Sequence, residues 1–411
     1  MLIRFEVANF RSILEPVELS MVAVDRDREA ARLAPSIGES LLAVAAVFGP
    51  NASGKSNLIA ALTWLRTAVR DSLRFWDERI PVEPFAFSGG RARASEFTLE
   101  SIISGVRFEY QVEVDEHAVR YEGLFHYPEK KRRRVFEREG TALKLQRGLG
   151  SLSGIRELLT PRTLALSIAR RFDEPLIADF TRALIDVHTV WPRRFGQARA
   201  SRRSTSHLFE ELADRDQVPL PGFEEIHPAD RDREQALALL RMADLGIDDV
   251  VVDRARGERR VRMVHRTRDE RVAFDLDQES EGTRTWFQLI GPVLTALEYG
   301  SLLLFDELDA SLHPTLSAQL IRLFQDPATN PHGAQLVFTS HDTSLLNHLN
   351  RDEVWLTEKT DGVTQLGALA DFAGERVRRS QNLEKAYLHG RFGALPDVDR
   401  TEVLRALGLI G

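Results

Sequence analysis

The chain has 411 residues, enough for two or three structural units around a substantial core. Its 43% hydrophobic and 28% charged content lies near ordinary globular values and suggests neither disorder nor a fibrous repeat, and the absence of cysteine excludes disulfides, thiolate metal sites and cysteine nucleophiles. A formal net charge of -7 argues against wrapping DNA over the whole surface, and no stretch reaches the roughly 18 uninterrupted apolar residues of a membrane span.

Residues 2–10 alternate apolar and polar side chains, and a second candidate strand follows around Val17 and Met21, so a sheet is expected to begin at residue 1. Arg4, Glu6 and Arg11 stand where a signal peptide needs an apolar run, which together with the missing span predicts a cytoplasmic protein with no membrane partner. Residues 41–48, LLAVAAVF, form one continuous apolar run that stops at Gly49-Pro50, the pattern of a strand buried on both faces. From Asn57 onward Leu58, Ala61, Leu62, Leu65 and Val69 follow helical spacing. Residues 97–138 alternate again through Phe97 and Leu99, then Phe108, Tyr110, Val112 and Val114, then Val119, Tyr121 and Phe125, which predicts an antiparallel meander. Residues 151–245 are charged and helix-like and read as a helical insertion. Within it, residues 197–228 are rich in Arg, Ser, Asp and Pro and are the expected mobile loop. Short alternating runs at 250–252, 261–264 and 272–276 return to a sheet.

Gly49-Pro50-Asn51-Ala52-Ser53-Gly54-Lys55-Ser56 fits G-x-x-x-x-G-K-[ST] without a mismatch and lies between the strand and helix that this motif requires. Its glycines let backbone N–H groups curl around phosphates at a helix N-terminus. In such a loop Lys55 reaches the terminal phosphates of ATP and Ser56 ligates Mg2+. A second apolar run, residues 301–305, ends in Asp306-Glu307 at the strand edge where ligands of open α/β sheets bind. Asp306 is placed to hold Mg2+ and Glu307 to orient or deprotonate the attacking water. Alone, such a pair also fits a strand that simply enters a polar loop.

Ser280-Glu281-Gly282-Thr283-Arg284 precedes the acids, Gly282 standing 24 residues before Asp306, while Leu308-Asp309-Ala310-Ser311-Leu312-His313-Pro314 follows them. A further apolar strand, residues 335–339, ends in Ser340-His341-Asp342. In this order the motifs resemble the ABC-type ATPases of the branch that contains SMC, Rad50 and the overcoming-lysogenization-defect proteins. With IRFEVANFRSI at the start and EKAYLHGRFGALP near the end, the chain is more specifically similar to the AAA-15/AAA-21 group of bacterial ATPases, which includes abortive-infection and other phage-defence ATPases. The resemblance implies an α/β ABC-type ATPase head with a mixed, largely parallel sheet, an antiparallel β subdomain and a helical insertion. It implies that Asn57 belongs with the loop, that Ser280 and Gly282 cap the γ-phosphate on a partner copy, that Asp309 communicates between the two sites and that His341 contacts the γ-phosphate. Without the resemblance, Ser280 reads as a helix N-cap and His341 as a surface or cap residue.

These readings divide the chain into a first ATPase lobe at 1–150 with the phosphate loop and meander, an insertion at 151–248, and a second lobe at 249–411 with the signature, acidic strand and histidine. The function they imply is ATP binding and hydrolysis through a head-to-tail dimer, as the sensor or scaffold subunit of an anti-phage system that controls a separate effector such as a nuclease. The alternative is an SMC/Rad50-like DNA-binding ATPase of repair or maintenance. The family's glutamine loop has no clear counterpart: Pro81-Val82-Glu83-Pro84-Phe85 falls at its position with Glu83 in place of Gln. There is no coiled-coil heptad pattern and no second acidic cluster of a fused nuclease. The basic runs at 130–134 and at Arg193, Arg194, Arg199, Arg202 and Arg203 are candidate nucleic-acid contacts or solvated turns.

Overall fold

The computed structural model describes residues 1–26, 28–87, 89–149, 152, 154–190, 204–210, 228–255, 258–372 and 383–389. Strands β1 (Leu2–Ala8) and β2 (Val17–Ser20) open the chain as an antiparallel pair. A two-stranded ribbon, β3 (Ala31–Ala34) and β4 (Glu39–Leu42), follows, and β5 (Val44–Phe48) begins one residue later. The single strand expected over 41–48 is therefore two strands in two sheets, broken at Ala43. Residues 41–48 are all at most 1% exposed, so both halves carry the same apolar signal and hydropathy does not mark the break.

Helix α1 (Lys55–Phe75) buries Leu58, Ala61, Leu62, Leu65 and Val69, the stripe its spacing predicts. The meander is β6 (Ser95–Ile103), β7 (Val106–Val114), β8 (Val119–His126), β9 (Arg133–Glu139) and β10 (Ala142–Leu145). Pairing of β1 with β6, Phe5 opposite Leu99, fuses it to the N-terminal hairpin in one seven-stranded antiparallel sheet.

The insertion holds α2 (Ile155–Leu158), α3 (Ala165–Ala169), α4 (Pro175–Ile185), the strand β11 (His188–Val190) and α5 (Pro228–Ala243). Buried Glu122 of the meander anchors it, accepting hydrogen bonds from the Ala165 and Leu166 amides at 2.6 and 2.9 Å and from the Tyr110 hydroxyl at 2.9 Å. Part of the expected mobile loop is packed. In a 3-10 turn over Thr205–Phe209, Thr205 Oγ1 accepts from the Gly291 amide at 2.9 Å and Phe209 stacks on Phe287. Leu208 packs against the same core, so apolar contacts fix a turn whose sequence neighbours are polar. Residues 197–203 and 211–227 of that loop, with the second basic cluster, lie outside the described residues.

A three-stranded antiparallel sheet comes next, β12 (Ile247–Ala255), β13 (Glu258–Arg266) and β14 (Arg271–Asp275). Then follow α6 (Glu281–Tyr299), β15 (Leu302–Phe305), α7 (Leu308–Ser311), α8 (Pro314–Gln325), β16 (Gln335–Thr339), β17 (Val354–Thr360), β18 (Val363–Ala368), α9 (Leu369–Phe372) and α10 (Leu383–Leu388). The central sheet runs β11-β15-β16-β5-β17-β18, parallel except for the β17–β18 hairpin. Ala45 and Val47 of β5 face one core, shared with α1, α3 and α4, while Val44, Ala46 and Phe48 face a second core with α6 and α8. The sheet is thus covered on both faces, as parallel strands require. Among the described residues no helix is long and apolar enough to cross a membrane. The α/β class with a largely parallel mixed sheet, an antiparallel β subdomain and a helical insertion agrees with the expectation.

Candidate functional site

Three neighbouring parallel strands, β15, β16 and β5, end on the same side of the central sheet and deliver the acidic pair, the histidine and the phosphate loop to one place. From β5 the chain turns at Gly49 and Gly54, both at positive φ, and enters α1 at Lys55. The two glycines also face crowded ground. A Cβ on Gly49 would collide with the Thr357 carbonyl oxygen, and one on Gly54 would collide with Thr364 Oγ1. Both threonines belong to the β17–β18 hairpin. Thr357 Oγ1 donates to the Phe48 carbonyl at 3.1 Å and lies 2.6 Å from Ser53 Oγ, and Thr364 Oγ1 donates to the Ser53 carbonyl at 2.7 Å. Ser12, in the turn after β1, is 2.7 Å from Thr364 Oγ1 and accepts from Asn57 Nδ2 at 2.6 Å. The loop of Gly49, Pro50, Asn51, Ala52, Ser53, Gly54, Lys55, Ser56 and Asn57 is therefore clamped from outside by Ser12, Thr357 and Thr364.

The inside of that loop fits an anion. Helix α1 is 21 residues long, has no side-chain cap on its N-terminus and no acid in its first turn, so its positive dipole end is not offset, although the Asn57 amide donates to the Gly54 carbonyl at 2.9 Å. Lys55 is buried, with Nζ donating to the Gly49 and Pro50 carbonyls at 2.8 and 2.9 Å. Burial lowers its pKa to about 8, outweighing the opposing pull of Asp309, Asp306 and Glu307. A buried ammonium in this condition regains its ordinary basicity when an anion joins it.

The acidic strand ends in a shared hydrogen-bond centre that the sequence does not announce. Thr339 Oγ1, at the end of β16, donates to Asp306 Oδ1 at 2.7 Å and accepts from the Glu307 amide at 2.7 Å. Glu307 sits at φ 54 and ψ 59, a left-handed conformation that costs a non-glycine residue about 1–3 kcal/mol and is held here by that bond. His341 Nδ1 lies 3.4 Å from Lys55 Nζ, and its amide donates to Asp309 Oδ1 at 3.1 Å. Burial, followed by the Lys55 charge, holds the imidazole below its ordinary pKa, against the opposing pull of Asp309, Glu307 and Asp306. Lys55, Asp306, Glu307, Asp309 and His341 thus converge.

Replacing Thr339 by Val removes both hydrogen bonds at nearly constant volume. It is expected to cost about 1–3 kcal/mol of stability, seen in thermal melting, because the buried Asp306 carboxylate and Glu307 amide lose their partner.

Ser280 and Gly282 stand apart. Ser280 caps α6, its Oγ accepting from the Thr283 amide at 3.1 Å, and among the described residues no hydrogen bond or ion pair joins it to the phosphate loop. The space beside Gly282 is open, the nearest atom to a methyl group placed there being Ser280 Oγ at 3.9 Å. Glu83, at the glutamine-loop position, forms a bidentate ion pair with Arg11 through Oε1 and Oε2 at 2.9 and 3.1 Å.

The family model described as "AAA domain, putative AbiEii toxin, Type IV TA system" matches residues 44–347. Among solved structures, an SMC head domain from Thermotoga maritima is similar at 13% identity and a TM-score of 0.43, over 89% of this chain and 98% of that one. An Smc head domain with an extended coiled coil bound to the C-terminal domain of ScpA, derived from Pyrococcus furiosus, is similar at 11% identity and a TM-score of 0.42, over 95% and 98%. No curated protein matches the chain. The family match spans β5, the phosphate loop, Asp306, Glu307 and His341, and with it the chain belongs to the AAA-domain family of the AbiEii type.

Proposed function

We propose that the chain binds ATP with Mg2+ at this site and hydrolyses it, and that two copies close head to tail around the nucleotide. The observation that carries the reading is the uncapped, acid-free N-terminus of α1 beside buried Lys55, opposite the acids of β15. In this reading residues 49–57 cradle the phosphates, and Lys55 turns from the loop carbonyls to the terminal phosphates. Ser56 and Asp306 hold Mg2+, which supplies charge neutralisation to the phosphate oxygens. Glu307 takes the proton of the attacking water, and His341 contacts the γ-phosphate as a hydrogen-bond partner. Ser280 and Gly282, unattached to their own loop and beside open space, cap the γ-phosphate of the other copy, and Asp309 links Lys55 and His341 to that interface. Closure then depends on the γ-phosphate, and hydrolysis releases it.

The biological role in this proposal is that of an anti-phage sensor or scaffold controlling a separate effector such as a nuclease, and it rests on the phage-defence resemblance of the motifs; the family description itself names a toxin of a toxin–antitoxin system. The exposed basic run at 130–134 gives weaker support to DNA binding. Arg132, Arg133 and Arg134 already face Glu109, Glu129 and Glu137.

The test is the mass of the complex purified from its native operon, with and without ATP, for the wild type and for Lys55→Ala. An ATP-dependent dimer is expected in the wild type only, with ATP affinity about 10–100-fold weaker in the variant because a charge-assisted contact is lost. A co-purifying neighbour protein supports the effector reading, whereas a bare dimer with DNA-stimulated turnover supports the DNA reading. A mass indifferent to ATP in the wild type defeats the dimer proposal.

The pH dependence follows from Lys55. Its folded pKa, about 8, lies below the ordinary lysine value of 10.5, so the free folded chain has shed this proton where the unfolded chain still holds it, and this residue's contribution to stability rises with pH across that window. Phosphate reverses the shift. ATP binding at about pH 8.5 is expected to take up a proton, read by calorimetry in buffers of different ionisation enthalpy, and Lys55→Met is expected to abolish the uptake.

A further inference from the structure

Away from the phosphate loop, three side chains of metal-ligating type converge from separate elements: Asp244 just after α5, His265 on β13 and Glu279 just before the N-cap of α6. One ligand atom from each lies within 4.8 Å of the other two. His265 Nε2 and Glu279 Oε1 are 2.7 Å apart, and the Glu279 side chain is 9% exposed. The Gly246 amide donates to Asp244 Oδ1 at 2.8 Å, which orients this carboxylate.

Gly246 supplies an independent observation. Its φ is not in the left-handed region, so the turn does not require glycine for its backbone. A Cβ there would stand 3.1 Å from Asp244 Oδ1 and 3.5 Å from His265 Nδ1. A side chain there would press on the Asp244 carboxylate and on the Nδ1 edge of His265, not on the Nε2 that faces Glu279, so glycine leaves both groups undisturbed.

We propose that Asp244, His265 and Glu279 form a binding site for one divalent transition-metal ion of the Zn2+ or Mn2+ kind, with water completing the shell. One imidazole nitrogen and two carboxylates match the borderline preferences of such ions. Glu279 directly precedes Ser280, so the ion ties the end of α5 and β13 to the segment that opens α6. The site is separate from Ser56 and Asp306 and stands whether or not the chain hydrolyses ATP.

The experiment titrates Zn2+, and separately Mn2+, into the chelator-treated full chain without nucleotide, by calorimetry, alongside His265→Gln, Asp244→Asn and Ser56→Ala. One ion per chain is expected in the wild type and in Ser56→Ala, with affinity at least about tenfold weaker in His265→Gln and in Asp244→Asn. A side-chain amide oxygen at position 244 can still accept from the Gly246 N–H, so Asp244→Asn carries the test if His265→Gln fails to fold. Absence of binding to the wild type, or equal affinity in wild type and Asp244→Asn, overturns the proposal.

Discussion

Substitution of Glu307 by Gln is expected to lower ATP turnover by about 10²–10⁴-fold while leaving ATP affinity within about threefold, because in the proposed mechanism it removes the general base without removing a phosphate contact. The change is nearly isosteric. The features that shape the site around it are backbone features: the left-handed turn at φ 54 and the amide bond to Thr339 Oγ1 survive the substitution. Asp306 keeps its own bond to Thr339. In the proposed cycle an uncleaved γ-phosphate persists between two copies, so the variant should accumulate as an ATP-dependent dimer that the wild type would only pass through. Phosphate release and mass measured on the same sample check both halves. Turnover at the wild-type rate would remove Glu307 from the base role and leave His341 as the candidate for it.

Gly54→Ala is expected to weaken ATP binding by more than about 100-fold with a much smaller loss of global stability. Gly54 stands at φ 105, where an alanine is strained by roughly 1–3 kcal/mol. Its methyl group would also collide with Thr364 Oγ1, and Thr364 is the residue that fastens the Ser53 carbonyl. The chain relieves both by moving the loop away from β18. This displaces the Lys55 backbone and breaks the alignment of the first N–H groups of α1, the features proposed to receive phosphate. The β5 strand and the α1 core contacts lie one side or the other of the displaced loop and remain, so thermal melting should fall by only a few degrees. An alanine variant with wild-type ATP affinity would show that the contact between the loop and the β17–β18 hairpin does not set the phosphate geometry.

The motifs behind these predictions are legible in the linear chain because each is contiguous. The eight residues from Gly49 to Ser56 must follow one another to curl a backbone around phosphates, and Asp306-Glu307 must close an apolar strand to reach the sheet edge. The antiparallel meander is equally legible, since alternation with period two is visible at Phe108, Tyr110, Val112 and Val114. What sequence reasoning misses are the side chains that hold those motifs in place. Thr339, Thr357 and Thr364 look like ordinary strand threonines, and Ser12 looks like a turn residue. Their partners are distant in sequence: Ser53 meets Thr357 across 304 positions and Ser12 meets Thr364 across 352.

The chemistry is written in local sequence, because the phosphate loop and the acidic pair are short patterns whose residue types admit few other uses in that order. The strand order β11-β15-β16-β5-β17-β18 comes instead from long-range pairing, which no local pattern encodes. That order places β16 between β15 and β5, and so sets Thr339 against Asp306 and His341 against Lys55. It also draws β11 out of a segment that reads as helical and splits residues 41–48 between two sheets. One cause underlies all of these. Apolar periodicity reports that a residue is buried, but which neighbour buries it is fixed only when strands from opposite ends of the chain pair.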